Sequence, residues 1–231
     1  MKSKAIEKFI GGIQHRQEFY GVAKHGTSAI ISQKVKEDPK ATFYAKCQKE
    51  CVIAMPTLAK IKDKTLNLDG YSLNHGLCNA LGKAFNLYHD VLEGLIIVNT
   101  GADDEMLAAM LEGLHEQHNF KALTYKKNSL GIKSVEQLAK LIKRQRPFNL
   151  DEVRIINCKI SSAASQMLLE EIQGTKLRRL ALVKCHINSS HFEYILELVR
   201  SSPSLKELDI SWNRLTPRDL SELFAVLASN R

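Results

Sequence analysis

The chain has 231 residues, of which 44% are hydrophobic and 25% are charged, a composition typical of a globular protein with a continuous core. No apolar run approaches the roughly 20 residues of a membrane-spanning helix, and no signal-peptide pattern opens the chain, so we expect a cytoplasmic protein without a membrane span. The five cysteines are odd in number and form no CxxC pair, so we expect neither a disulfide framework nor a zinc site. The net charge is +8.

The basic charge is concentrated near the N-terminus. Residues 1–60 contain 11 Lys and Arg against 5 Asp and Glu, whereas the rest of the chain is nearly balanced, with 22 against 20. Such a segment attracts nucleic acid, an anionic membrane or an acidic protein surface, or it only keeps the chain in solution. We predict a basic arm over residues 1–37 that becomes ordered when it lies on a partner or on the rest of the chain.

A short helical cap is predicted to follow the arm. Asp38 and Pro39 form an N-cap and first-turn signal, and a helix from about Pro39 to Ile53 would end before Pro56. We assign residues 38–62 to this cap and expect it to cover the open end of the core that follows.

Six segments of the chain then match one pattern, LxxLxLxx(N/C)xL, and such internal repetition indicates the architecture of the whole chain. The final copy matches at every position. The segments are residues 63–73, 92–102, 120–130, 150–160, 177–187 and 205–215. Their fourth positions are Leu66, Leu95, Leu123, Val153, Leu180 and Leu208, which are separated by 27 to 30 residues.

Each copy is followed by apolar residues at spacings of three and four, which places them on one face of a helix. These residues are Cys78, Leu81 and Phe85; Leu107, Met110 and Leu114; Val135, Leu138 and Ile142; Ser165, Leu168 and Ile172; Phe192, Ile195 and Val199; and Leu220, Leu223 and Leu227, with Ser165 the one polar member.

Capping signals support the predicted helix starts. Ser134 with Gln137, and Ser190 with Glu193, have the spacing of capping boxes. The pair Thr216 and Pro217 places a capping hydroxyl before a proline at the first helical position.

A strand followed by a helix cannot bury its apolar face alone, so stacked units must share one core. We predict an α/β leucine-rich-repeat solenoid over residues 63–231, a horseshoe arc with parallel strands on the concave face and helices on the convex face. The Asn or Cys at the ninth template position, as in Asn128 and Cys185, is expected to bond backbone groups of the turn. Tyr125 replaces a small aliphatic residue and is expected to widen the third strand.

Residues 63–231 resemble the ribonuclease-inhibitor-like leucine-rich-repeat family. The family includes enzyme inhibitors, actin-filament cappers, Ran GTPase activators, innate-immune receptors and proteins of the ciliary axoneme, so the resemblance is far more informative for fold than for function. The lead-in with Tyr44, Cys47 and Pro56 is similar to the N-terminal cap of axonemal members, which favours a component of the ciliary cytoskeleton.

The last repeat lacks a polar closing unit, which a solenoid normally needs over its final apolar edge. The natural chain is therefore expected either to continue past Arg231 or to have this end covered by a partner, and continuation is the favoured reading.

No constellation of catalytic residues emerges. Residues 76–83 resemble a phosphate-binding loop only superficially, because the glycine spacing is one residue too long. His115 with His118, and Cys47 with Cys51, have spacings that permit a metal, but solvated histidines and packed thiols are the favoured interpretations. We expect no enzymatic activity, no cofactor, no bound metal and no small-molecule substrate.

The predicted concave face is basic and carries the one tryptophan of the chain. Basic side chains beside an exposed aromatic suit an acidic protein surface. The candidate protein-binding residues are Lys126, Lys127, Arg154, Asn157, Arg178, Lys184, Asp209 and Trp212.

These observations favour a non-catalytic scaffold or adaptor that binds acidic surfaces, such as microtubule-associated or axonemal proteins. The alternative is a regulator of an enzyme, of the GTPase-activator or ribonuclease-inhibitor type, which would change the turnover of its target. Nucleic-acid binding ranks lowest, because no nucleic-acid motif or cluster of stacking aromatics accompanies the charge.

Overall fold

A computed structural model describes residues 38–87, 92–117, 119–143 and 150–229. Over these residues the protein is a mixed α/β structure with seven α-helices and a sheet of mainly parallel strands. The predicted arm over residues 1–37 and the candidate ligand His118 lie outside the described residues.

Strands and helices alternate along the chain. The helices are α1 (Pro39–Lys49), α2 (His75–Phe85), α3 (Asp104–Gly113), α4 (Ile132–Lys143), α5 (Ser162–Ile172), α6 (Phe192–Ser201) and α7 (Pro217–Ser229). The strands are β1 (Ile61–Lys62), β2 (Thr65–Asn67), β3 (Gly94–Val98), β4 (Ala122–Lys126), β5 (Ser129–Leu130), β6 (Glu152–Ile156), β7 (Lys159–Ile160), β8 (Arg179–Val183) and β9 (Glu207–Asp209). Short 3-10 turns cover Thr57–Lys60 and Ser189–His191.

The main sheet has the strand order β1-β2-β3-β4-β6-β8-β9, and β5 pairs with β7 in a second, two-stranded sheet. From β2 to β9 the strands of the main sheet are parallel, and each lies in one of the six predicted segments. The fourth template positions stand directly opposite one another in the register Leu66, Leu95, Leu123, Val153, Leu180, Leu208.

Burial alternates along each strand because successive side chains point to opposite sides of a sheet. In β3, Leu95 and Ile97 are fully buried, whereas Ile96 is half-buried. The buried side packs against the helices in one continuous core, as expected for parallel strands joined by helical crossovers. Each fully buried Leu contributes about 1.5–3 kcal/mol through its removal from water.

The predicted inner helix residues are buried in α2, α4, α5 and α6, and in α3 with its C-cap Leu114. In α7 only Leu223 of the predicted set is buried, and Leu220 and Leu227 are exposed, which corrects the prediction for this helix. The reason is geometric: among the described helices, α7 packs against α6 alone, whereas each helix from α2 to α6 packs between two neighbours. None of the helices in the described ranges is long and apolar enough to cross a membrane.

Side chains at the ninth template position bond backbone groups of the turns, as predicted, and they also link neighbouring units. The Asn128 amide oxygen accepts hydrogen bonds from the Thr100 backbone N–H at 3.0 Å and from its hydroxyl at 3.1 Å, and its amide nitrogen donates to the Lys126 carbonyl at 2.9 Å. Asn213 repeats the arrangement by accepting from the backbone N–H of Cys185 and of Ile187. These bonds supply partners for turn backbone groups that would otherwise be buried without one.

Cysteines take over this role where asparagine is absent. The Cys158 thiol donates to the Tyr125 carbonyl at 3.4 Å, and the Cys185 thiol donates to the Ile155 carbonyl at 3.3 Å. Each thiol therefore reaches back to the strand of the preceding unit, as the two asparagines do.

Tyr125 does not widen its strand, which corrects the prediction. Strand β4 stays in continuous register with β3 and β6 on both sides of this residue. The ring is completely buried, and its hydroxyl donates to the carbonyls of Ala102, at 3.1 Å, and Ser129, at 2.7 Å. The core accommodates the larger Tyr125 side chain because its one polar group, the hydroxyl, has hydrogen-bond partners inside the core.

The start of α4 is capped from the neighbouring unit. The Asp104 carboxylate accepts hydrogen bonds from the backbone N–H of Ser134, at 2.8 Å, of Gly131 and of Lys133, and from the Ser134 hydroxyl at 2.5 Å. The predicted capping box of Ser134 with Gln137 is wrong, because α4 begins two residues before Ser134. A carboxylate at a helix N-terminus is favoured by the exposed N–H groups and by the helix dipole.

Other helix starts are capped as predicted or by neighbouring residues. Asp38 caps α1, and the Thr216 hydroxyl caps α7 by accepting from the Asp219 backbone N–H. The second predicted capping box falls instead on Asn188 and His191, which precede the predicted pair by two residues.

The predicted cap over residues 38–62 is less helical than expected. Helix α1 ends at Lys49 rather than near Ile53, because the chain reverses at Cys51, whose φ of 53° lies in the left-handed region. The segment that follows contributes a 3-10 turn and the strand β1, which pairs antiparallel with β2. The edge of the parallel sheet is thereby covered by the strand β1, while α1 packs against α2.

Helices α2 and α3 approach each other closely at two glycines. A β-carbon at Gly82 would overlap the Ala109 carbonyl oxygen, and one at Gly113 would overlap the Gly82 carbonyl oxygen. The absence of two side chains therefore sets the distance between the helices.

Replacement of Gly82 by Ala is expected to lower the free energy of unfolding by about 2 kcal/mol, because overpacking at this contact outweighs the gain in helix propensity of about 1 kcal/mol. Gly70→Ala is the control for backbone strain, since Gly70 has a φ of 72° and no atom near an added β-carbon. Gly70→Ala should lower the free energy of unfolding by only about 1 kcal/mol. Urea unfolding of both variants measures the difference, and a stabilised Gly82→Ala variant would contradict the close approach.

Asp104→Ala removes the capping carboxylate. It is expected to lower the free energy of unfolding by about 1–2 kcal/mol at neutral pH, as the loss of other helix caps does. Burial opposes ionisation of Asp104, but hydrogen bonds from Ser134, Lys133 and Gly131 hold its pKa below the usual 3.8. Its contribution is therefore complete above about pH 4 and is lost as the pH falls further. Denaturant titrations at neutral and acidic pH measure this difference.

The control is Glu105→Ala on the same helix, which removes an exposed ion pair with Lys133 and should change stability by less than about 0.5 kcal/mol. A difference between wild type and Asp104→Ala that stays constant down to pH 2 would refute the capping role.

Candidate functional site

Within the described residues, one side of the main sheet is not covered by helices. We call it the open face and define it by two rows of side chains that alternate with the buried rows. The first row is Asn67, Ile96, Thr124, Arg154, Ala181 and Asp209, and the second is Val98, Lys126, Ile156 and Val183. All of these side chains are half-buried or exposed.

Aliphatic residues form much of the open face. Four aliphatic residues of the two rows are half-buried, namely Ile96, Val98, Ile156 and Val183. The candidate site chosen from the sequence emphasised charged residues and omitted these four. An exposed sheet surface that combines aliphatic residues with basic residues such as Lys126 and Arg154 has a composition found in interfaces between proteins.

A third row of residues follows the strands, and we call it the turn row. It consists of Gly70, Asn99, Lys127, Asn157, Lys184 and Trp212, which occupy the eighth template position and have φ values between 51° and 72°. The left-handed conformation turns the chain out of the sheet at the same point in every unit. All six residues are exposed, and Trp212 is 83% exposed.

The turn row holds bulky residues in a conformation that glycine and asparagine tolerate best. Lys127, Lys184 and Trp212 each carry a backbone cost of about 1 kcal/mol there. The left-handed turn could have been predicted from the sequence, because glycine or asparagine recurs at this template position in Gly70, Asn99 and Asn157. The left-handed turn was not among the expectations from the sequence, although four of its residues were candidate binding residues.

The structure brings some of the predicted site residues together and separates others. Lys127, Asn157, Lys184 and Trp212 are consecutive members of the turn row, and Lys126 lies beside them at the end of β4. Arg154 and Asp209 lie in the first row of the open face, on either side of Ala181.

Arg178 does not join this group, because it precedes β8 whereas Lys184 follows it. Six residues of extended chain separate the two by about 20 Å. The cause is the template itself, whose second and eighth positions fall at opposite ends of each strand.

Acidic residues neutralise part of the predicted basic stripe. Glu152 forms ion pairs with Arg154 and with Arg179, the latter at 2.9 Å. Nearer the cap, Glu93 pairs with Lys64 at 2.6 Å and with Lys121 at 2.9 Å, and these hydrogen bonds lower the pKa of its carboxyl group. Within the described residues, Lys127 and Lys184 have no such partner.

A shallow depression of about 460 Å³ lies where β6, β8 and β9 meet on the open face. The small side chain of Ala181 leaves room between Arg154 and Asp209, and the rim also includes Lys206 and Glu207. The Asp209 carboxylate accepts hydrogen bonds from the Ser211 hydroxyl and backbone, which lower its pKa. The depression therefore presents charges of both signs around a short apolar floor.

The thiols near this face are poor nucleophiles. Burial raises the pKa of Cys185 to about 12 and also raises that of Cys158, and a thiol reacts only as the thiolate. Across the ranges that the structure describes, no three His, Cys, Asp or Glu side chains come close enough to hold a metal ion. Cys47, one of the residues considered as a metal ligand, is buried in the core.

Comparison with known proteins gives little further guidance. No protein-family model and no curated protein matches the sequence. Among solved structures, one described as leiomodin-1 actin-binding site 2 is similar over 75% of this chain and 87% of its own, with 14% identity and a TM-score of 0.40. A likeness at this level carries no argument about function.

Relief of the left-handed strain tests the geometry of the turn row. Lys184→Gly is expected to raise the free energy of unfolding by about 0.5 kcal/mol. Glycine adopts this conformation without steric strain, and the strain removed is larger than the additional backbone entropy that glycine loses on folding. Lys159→Gly removes an exposed lysine from strand β7 and should instead lower stability by about 0.5–1 kcal/mol. Opposite signs in thermal unfolding support the assignment, whereas equal losses would contradict it.

Proposed function

We propose that this chain is a leucine-rich-repeat solenoid of the ribonuclease-inhibitor-like kind, and that it binds other proteins through the open face without a catalytic role of its own. The observation that carries the proposal is a sheet surface that the described helices leave uncovered. Its half-buried aliphatic residues are interspersed with Lys126 and Arg154, and exposed lysines and a tryptophan follow the strands.

The repeat geometry supports the solenoid. Each unit of 27 to 30 residues supplies one strand and one helix, and the fourth template positions are in register from Leu66 to Leu208. Asn or Cys at the ninth position connects each of the last four turns to the preceding unit. Such an array buries its core only between neighbours, which leaves the opposite side of the sheet free for a partner.

The chemistry of the face favours an acidic partner. Lys126, Lys127 and Lys184 provide positive charge near Trp212, and Trp and basic residues are frequent energetic anchors in interfaces. The lead-in with Tyr44 and Cys47, which is similar to that of axonemal proteins, makes axonemal and microtubule-associated proteins of the cilium the first partners to test.

The test is a pull-down from a ciliated-cell extract with a variant that obstructs the open face. Thr124→Arg combined with Ala181→Arg places two long side chains among half-buried positions of the face. The matched control, Ala163→Arg with Ala228→Arg, changes exposed positions on α5 and α7. A partner that binds the open face should be retained by the control and lost by the obstructed variant, with unchanged circular dichroism in both.

Two results would overturn the proposal. One is that no protein depends on the open face. The other is recovery of a GTPase or nuclease whose turnover the chain changes, which would support the enzyme-regulator alternative. A chain that lacks residues 1–37, carried in parallel, shows whether the basic arm adds to the binding.

A further inference from the structure

We propose that the turn row binds an extended acidic segment of a partner protein, in which carboxylates recur at every third residue and an apolar residue follows them. The inference rests on the proposed function, because it names the chemistry of the partner that the open face accepts.

The spacing of the turn row carries the argument. Lys127, Asn157, Lys184 and Trp212 follow strands β4, β6, β8 and β9, which are neighbours in the sheet. Adjacent strands lie about 4.8 Å apart, so the two lysines are about 10 Å apart along the row. A chain in the polyproline II conformation presents every third residue on the same side, at intervals of about 9 Å. Two carboxylates three residues apart therefore match the spacing of the two lysine positions along the backbone.

The uniform backbone makes the two lysines equivalent. Lys127 and Lys184 have φ values of 56° and 53°, and Asn157 between them has 51°, so all three side chains leave the chain in the same way relative to the sheet. Asn157 places an amide between the two charges, where it can donate to a backbone carbonyl of the ligand. The row thus alternates cation, amide and cation along one line.

The charge of the row is available for a ligand. Lys127 and Lys184 are exposed and have no ion pair within the described residues. Glu152 is already paired with Arg154 and Arg179. Asp209 keeps its charge, but it lies three template positions before the turn row and is influenced by Arg154. An added carboxylate would therefore meet uncompensated positive charge.

Trp212 defines the end of the site. It is 83% exposed, follows Lys184 by one strand, and offers a large apolar surface just beyond the second cation. Ile156 and Val183, which are half-buried in the row next to it, extend this apolar surface along the ligand. A single-stranded nucleic acid fits less well, because it binds over several aromatic side chains on which successive bases stack, and the turn row has one.

Trp212 is also the only tryptophan of the chain, so its fluorescence reports directly on this site. The probe is a peptide of repeated Glu-Pro-Ala units, and the control is a peptide of the same composition built from Glu-Glu-Pro-Pro-Ala-Ala units. The first peptide is expected to shift the emission of the intact chain to shorter wavelength with saturation, and the second to bind several-fold more weakly. Added salt should weaken binding, because the contacts are exposed ion pairs.

Variants locate the contacts. Lys127→Asn and Lys184→Asn introduce a residue that tolerates the left-handed turn, as Asn99 and Asn157 do. Each substitution should weaken binding of the peptide about two- to fivefold. Lys140→Gln removes an exposed charge from α4 and should change nothing. Trp212→Ala, followed by anisotropy of a labelled peptide, should weaken binding about tenfold.

The inference is wrong if the spaced peptide causes no saturable change, if both peptides bind equally, or if Lys140→Gln weakens binding as much as the turn-row variants. Tighter binding of an oligothymidylate than of the peptide would also overturn it. If these tests fail while the obstructed-face variant still loses its protein partner, the proposed function stands without this ligand class. If both fail, the open face is not a binding site.

Discussion

The apolar row from Leu66 to Leu208 can be buried only while neighbouring units remain in register, and the rest of the structure depends on this constraint. A slip of one residue would move these side chains to the uncovered side of the sheet. Register is held at the strand ends, where Asn128 and Asn213 bond backbone groups of the preceding turn, and at helix starts such as that of α4, which Asp104 caps from the adjacent unit.

The same constraint produces the candidate site. Because the strands end together, the chain leaves the sheet at the same template position in each unit and adopts a left-handed turn there. Residues that are 27 to 30 positions apart in the sequence thereby become neighbours along a line. Side chains on this line are exposed and contribute nothing to the core. The backbone strain at Lys127, Lys184 and Trp212 is therefore offset by the stability of the surrounding fold.

Several features could be predicted from the sequence because they depend on local spacing. Periodicity predicts the fourth-position residues and the inner faces of α2 to α6. Residue chemistry predicts the caps at Asp38 and Thr216 and the bonding role of Asn128. Errors arose where a neighbouring unit decides the outcome. Ser134 resembles half of a capping box, but Asp104 of the preceding unit binds it, and Tyr125 fits its strand because carbonyls of Ala102 and Ser129 accept its hydroxyl proton.

The sequence by itself determined the repeating strand and helix, the side of each that is buried, and the identity of the residues on the open face, because a period of two or of 3.6 residues is a local property of the chain. Only the tertiary structure decided which of those residues act together. It placed Lys127 and Lys184 in one row, moved Arg178 to the far end of the strands, and paired Arg154 with Glu152. The physical reason is that distances between units are set by strand pairing and by close helix contacts such as that of Gly82 with Ala109, which no single repeat encodes.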